Sequence, residues 1–185
     1  MSKKNERPTR LLWMDLEMTG LDATKDIILE VAAEVTDFTF QTLGSYEARI
    51  KHNPTTMAQL MQANNWWQDF PANRDDFLKN AGAGKPLKTV ESELMQFVET
   101  HFAGQPVILA GNSIHNDRNF IKHWWPLFDL KLHYRMLDVT SLKLLLQGKY
   151  GKEYVKSNSH RAFDDIQASI AELQFCLAFL RKTDQ

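Results

Sequence analysis

The chain has 185 residues, with 22 Lys and Arg against 23 Asp and Glu, a net charge of −1. That balance excludes a polybasic protein holding long nucleic acid by bulk charge, but not a nucleic-acid enzyme with a small local site. A 43% apolar share supplies one buried core, and the single cysteine, Cys176, excludes an internal disulfide framework or a Cys-rich zinc site.

One cysteine also fits a reducing compartment. No apolar run reaches transmembrane length, and Asp15 interrupts the short run Leu11–Met14, unlike a secretory signal. The expectation is a cytoplasmic protein without membrane contact, a single domain over residues 1–185 with a flexible tail at 1–8.

In chain order, residues 10–17 read as a buried strand and 21–26 as a polar turn. The β-branched stretch 27–38 predicts a second strand, and 42–50 a third, antiparallel one. Residues 55–69 and 88–102 read as helices, separated by the Gly- and Pro-punctuated loop 82–86. Val107–Ala110, between Pro106 and Gly111, predicts a central strand, and a helix over 117–125 stops before Pro126. A brief strand at 136–138 precedes a helix at 139–146. In the last helix Ile166, Ile170, Leu173, Leu177 and Leu180 step by four and three and predict one buried face, with Cys176 packed beside it. Strands followed by mixed helices and strands indicate an α/β or α+β fold with one helix-covered sheet.

Asp15 and Glu17 stand two apart at the end of the first strand, so both carboxylates point to one face. Two neighbouring acids on a buried strand repel and lose hydration unless a cation joins them. Taken alone, the pair fits equally well a bland reading, in which one acid caps the strand end and the other is exposed to solvent. Asp117 follows the central strand through a polar loop, at the strand end where α/β sheets gather ligands; by itself it reads as a helix N-cap. Asp164 and Asp165 open the last helix behind His160, where first-turn acids also suit the helix dipole.

Together, Asp15, Glu17, Asp117 and Asp165 carry four negative charges, which two divalent ions would cancel. Carboxylate oxygens suit Mg²⁺ or Mn²⁺, and a metal pair clamps the attacking and leaving oxygens of phosphoryl displacement. His160, with an ordinary pKa near neutrality, suits deprotonation of the attacking water.

Three blocks carry a family resemblance: Asp15-Leu16-Glu17-Met18-Thr19-Gly20-Leu21, Gly111-Asn112-Ser113 with Asp117-Arg118, and His160-Arg161-Ala162-Phe163-Asp164-Asp165-Ile166. In order and separation they resemble the three motifs of DEDD-type 3′→5′ exonucleases of the histidine subtype. With His133-Tyr134-Arg135 and Leu137-Asp138-Val139-Thr140, the chain is most similar to the oligoribonucleases, which degrade very short RNAs to mononucleotides. The resemblance spans roughly residues 10–180. It implies a ribonuclease H-like α/β fold with a mixed sheet of about five strands flanked by helices, and activity as a 3′→5′ exoribonuclease.

Carried over, it makes Asp15, Glu17, Asp117 and Asp165 the ligands of two divalent ions and His160 the base. It chooses Asp165 over Asp164, which would share a helix face with His160. Leu21 corresponds to an apolar wedge against a substrate base, and Trp66 or Trp67 to a stacking tryptophan. Ser113, Arg135 and Thr140, or Ser141 in place of Thr140, correspond to residues that cap the substrate's 5′ phosphate. Tyr134 corresponds to a residue lent across a homodimer interface. The segment after the tryptophans, Gln68–Asn73, lacks the family's His and Ser-Gly-Leu step, and His115-Asn116 replaces its small residue and Gln.

Without the family, 133–135 reads as a polar loop and Trp124-Trp125 as core or dimer interface. Two alternatives remain open: a proofreading or trimming exonuclease on longer single-stranded DNA or RNA, and a non-catalytic short-RNA-binding module on the same fold. The first would cut long strands without stalling, and the second would bind without turnover.

Overall fold

The computed structural model describes residues 7–154 and 162–183. Its sheet is built around β1 (Arg10–Met18), which pairs antiparallel with β2 (Ile28–Asp37) and parallel with β4 (Val107–Gly111). The edges are β3 (Thr42–Arg49), antiparallel to β2, and β5 (Leu132–Asp138), parallel to β4, giving the order β3-β2-β1-β4-β5. The expected mixed five-stranded sheet is therefore present.

β1 is central because it is apolar on both faces. Leu12, Met14 and Leu16 pack with Val90, Leu94 and Val98 of α4 (Leu87–Phe102) and Phe120 of α5 (His115–Trp124). Leu11 and Trp13 face the other way, onto Ile166, Ile170 and Leu173 of α8 (Ala162–Thr183). The charges that β2 buries are paired: Arg49 donates to Glu30 at 3.0 Å, and Glu34 accepts from Thr42 at 2.6 Å and from Gln167.

Four expectations are corrected. The helix predicted over 55–69 is broken into α1 (Pro54–Gln62) and α2 (Trp66–Asp69). At the break Asn64 donates its amide to the Thr19 carbonyl at 2.9 Å and accepts from the Trp66 amide at 3.0 Å. An unpredicted helix, α3 (Pro71–Asn80), follows; it starts at a proline and buries only Phe77, so its sequence shows almost no apolar stripe.

β5 begins at Leu132, not at 136, so His133-Tyr134-Arg135 lie on an edge strand instead of a loop. Finally, Leu177 is exposed while Ser169, Glu172 and Cys176 are buried. α8 buries two adjacent stripes, Ile166–Ile170–Leu173 and Ser169–Glu172–Cys176, which turns its centre of burial away from Leu177.

The short α6 (Pro126–Asp129) follows α5, and α7 (Val139–Tyr150) follows β5. Trp125 belongs to the core, its ring N–H donating to the Leu87 carbonyl at 3.2 Å. Among the described residues, no helix is long and apolar enough to cross a membrane.

Candidate active site

The site begins with the two-residue period of β1. Leu11 and Trp13 lie on the α8 face, so Asp15 and Glu17 continue along that face toward the start of α8. There Asp165 meets them. Asp15, Glu17 and Asp165, all half-buried, each offer a carboxylate oxygen within 4.8 Å of the others. Asp164 is exposed, so the helix phase settles which of the neighbouring acids joins the pair. Three converging carboxylates on rigid elements form a hard-oxygen donor set that fits a divalent cation.

Asp117 approaches from the opposite side. α5 starts at His115 behind Ile114, so Asp117 lies in its first turn and does not cap it. β4 ends at Gly111, which leaves the β1 backbone beyond it without a strand on that side. The Leu16 amide donates instead to Asp117 Oδ1 at 2.9 Å. Asp117 is 6% exposed, and burial pushes its carboxyl up to about 7; the Leu16 amide opposes the shift and the Asp138 charge adds to it. Gly111 permits the close approach, since a Cβ there would meet the Met14 carbonyl oxygen and Ile114 Cδ1, each at 2.9 Å.

Beside the carboxylates, a pocket of about 320 Å³ is lined by Leu16, Glu17, Met18, Gly20, Leu21, Asn64, Trp66 and Trp67. Leu21, 74% exposed, stands on its wall. The two tryptophans differ. Trp67 is buried and donates its ring N–H to the Thr19 carbonyl at 3.0 Å. Trp66 is half-buried and rests on Phe70, with ring centres 4.5 Å apart. Of the pair, Trp66 is the more available to a ligand.

Past β4 the chain turns through Ser113 at φ 49°, the left-handed region that a serine adopts only under constraint. The constraint is a pair of acceptors. The Ser113 amide donates to Asp138 Oδ1 at 3.0 Å and to Thr140 Oγ1 at 2.9 Å, and the two hydroxyls lie 3.2 Å apart. Ser113 and Thr140 are thus brought together. On β5, Tyr134 is 72% exposed, and the Arg135 guanidinium lies over its ring, 5.2 Å from the centre. His160 and residues 1–6 of the expected tail lie outside the described residues.

Three groups with no role assigned from the sequence also shape the site. Asp138 caps α7 by accepting from the Thr140 amide at 3.0 Å, a role its place before a helix announces. Glu172 shares a stripe with Asp165 and Ser169, a spacing that was available to find it. Asn112 donates to Ser169 and Glu172, 57 and 60 residues away, and no local pattern signals that.

The exonuclease family RNase_T matches residues 12–173. The mitochondrial oligoribonuclease of Bos taurus is 36% identical over 182 residues, covering 95% of this chain and 76% of its own. An oligoribonuclease of Francisella tularensis is 38% identical over 168 residues, covering 89% of this chain and 92% of its own. Among solved structures, exonuclease I of Methylocaldum szegediense superposes with a TM-score of 0.59 at 15% identity, over 90% of this chain. The chain spans about 40% of the length of that protein, and the likeness is one of fold. With matches of this extent, the chain belongs to the exonuclease family and, within it, stands with the oligoribonucleases.

Proposed function

We propose that this chain hydrolyses short single-stranded RNA from the 3′ end, down to dinucleotides, and releases nucleoside 5′-monophosphates. The observation that carries this is the Asp15–Glu17–Asp165 carboxylate cluster sharing Glu17 with the pocket of Leu21 and Trp66. Chemistry and base recognition thereby adjoin. Near-neutral charge agrees, because a short substrate offers few phosphates to neutralise.

Asp15, Glu17, Asp117 and Asp165 would hold two Mg²⁺ or Mn²⁺ ions. When bound, such ions neutralise the scissile phosphate and stabilise the oxygens that attack and leave. The chain's own residues do the rest. Trp66 and Leu21 hold the 3′-terminal base, and His160 takes the proton of the attacking water. Ser113, Thr140 and Arg135 form the end of the site that takes the 5′ phosphate, Arg135 through a guanidinium fork suited to it.

We further propose a homodimer that lends Tyr134 across its interface. Support comes from the exposed apolar side chains Leu127, Leu130, Tyr134 and Met136 along α6 and the β5 edge. One cysteine suits a cytoplasmic setting, and residues 1–185 serve as one exonuclease domain.

The test is a digestion time course with Mg²⁺ or Mn²⁺ on a 5′-labelled RNA dinucleotide, a twenty-nucleotide RNA and single-stranded DNA. Much faster loss of the dinucleotide is expected. Faster cutting of the long strands reassigns the chain to general trimming, and binding without turnover makes it a binding module.

A further inference from the structure

Asn112 joins three parts of the site that are far apart in sequence. Its Nδ2 donates to Ser169 Oγ at 2.8 Å and to Glu172 Oε2 at 3.0 Å, both on α8. Its Oδ1 accepts from the Thr140 hydroxyl at 3.2 Å, on α7. Ser169 in turn donates its hydroxyl to the Asp165 carbonyl at 2.8 Å, within the turn that presents the Asp165 carboxylate. Through Ser169, the Asn112 side chain therefore links the turn that carries Asp165 to the Ser113–Thr140 pair.

Glu172 sets the direction of this chain of bonds. It is fully buried, with the Lys143 ammonium 3.4 Å from its other oxygen. A carboxylate accepts and cannot donate, so it draws the NH₂ of Asn112 and leaves the carbonyl facing Thr140. Thr140 has one hydroxyl hydrogen, and it goes to that carbonyl. Its oxygen is then an acceptor, which the Ser113 amide fills at 2.9 Å. That leaves Ser113 as the donor of the 3.2 Å contact between the two hydroxyls, and its hydrogen is the one that can turn from Thr140 to an anion.

We propose that Asn112, oriented by Glu172, is a positioning residue. It sets the span between the carboxylate cluster and the 5′-phosphate end of the site, and it keeps Thr140 an acceptor that orients Ser113. This rests on the reading of Ser113, Thr140 and Arg135 as the phosphate end. In this role Asn112 acts through Thr140 and through the turn that carries Asp165.

The experiment reverses the polarity. Asn112→Asp sets a second carboxylate against Glu172, whereas Asn112→Asp with Glu172→Gln restores a donor opposite an acceptor. KM and kcat are measured on a 5′-phosphorylated diribonucleotide and on its 5′-hydroxyl counterpart. Asn112→Asp is expected to raise KM for the phosphorylated substrate by about tenfold and for the hydroxyl one by less than about twofold, with the double variant recovering most of the loss. Glu172→Gln alone keeps the shape and removes the charge that orients Asn112 and faces Lys143. It is expected to raise the same KM by about threefold, and gives the readout should Asn112→Asp fail to fold.

Equal losses on both substrates, or no recovery in a folded double variant, overturn the proposal. A wild-type enzyme indifferent to the 5′ phosphate overturns the phosphate-end reading and this proposal with it. A wild type that prefers the phosphate, with variants that keep the preference, overturns the role of Asn112 alone.

Discussion

The Asp117 carboxylate takes the Leu16 amide at 2.9 Å, so a side chain from α5 does for β1 what a neighbouring strand would do further back. This gives Asp117 a part in the backbone as well as in the site. Its pKa, raised from 3.8 to about 7 by burial, ties it to pH. Between these values the folded chain binds a proton that the unfolded chain releases. The metal-free fold is therefore most stable below about pH 4 with respect to this group, and loses stability as pH rises to about 7, by at most about 4 kcal/mol. Asp117→Asn keeps an oxygen for Leu16 and should flatten that slope. In chelator at pH 8 it should melt above the wild type, yet turn over no substrate with metal added. Melting curves from pH 4 to 8 with a parallel assay check both halves.

Metal dependence follows from the three-carboxylate cluster. A chelator should abolish hydrolysis reversibly, and Asp15→Asn or Asp165→Asn should lower kcat by more than about 100-fold while leaving the fold intact. Isothermal titration with Mn²⁺ measures the same change independently of activity, as weaker or fewer binding events in the variants.

The two adjacent tryptophans should part company. Trp67→Ala removes a ring that is 1% exposed and leaves the Thr19 carbonyl to Asn64 alone, so it should destabilise the fold by roughly 3–5 kcal/mol. Trp66→Ala should leave the melting temperature nearly unchanged and raise KM for a dinucleotide by about tenfold. Denaturation and steady-state kinetics on both variants decide it; equal KM effects from two folded variants would remove Trp66 from its place against the base.

Tyr134 can be tested by mixing. If it serves the neighbouring protomer, Tyr134→Ala and Asp15→Asn are each nearly inactive, but a mixed dimer contains one intact site. Mixing equal amounts under exchange should restore about a quarter of wild-type activity. Absence of recovery, with exchange verified by mass, would remove Tyr134 from that role.

Legibility in the sequence followed periodicity. Asp15 and Glu17 could be placed together because a strand repeats every two residues, whereas spacing left Asp164 and Asp165 open and only the family resemblance chose Asp165, which the structure sets beside them. Where periodicity was weak, expectation failed. α3 has one buried apolar residue, and the outer half of β5 is too exposed to alternate. Leu177 matched the apolar step yet lies outside, because Glu172, a charged residue, is buried in its stead. That burial depends on Asn112 and Lys143, partners from other elements that no local pattern announces.

The β2–β3 hairpin lies at the other end of the sheet from the chemistry. Asp37 sits opposite Arg10, at the start of β1, whereas Asp15 and Glu17 occupy its far half. Thr39, exposed in that turn, is thus a natural point of attachment. A fluorophore or surface tether placed there would leave the carboxylates, the pocket of Trp66 and the edge bearing Tyr134 open to substrate, which makes the hairpin a handle by which the working enzyme can be held.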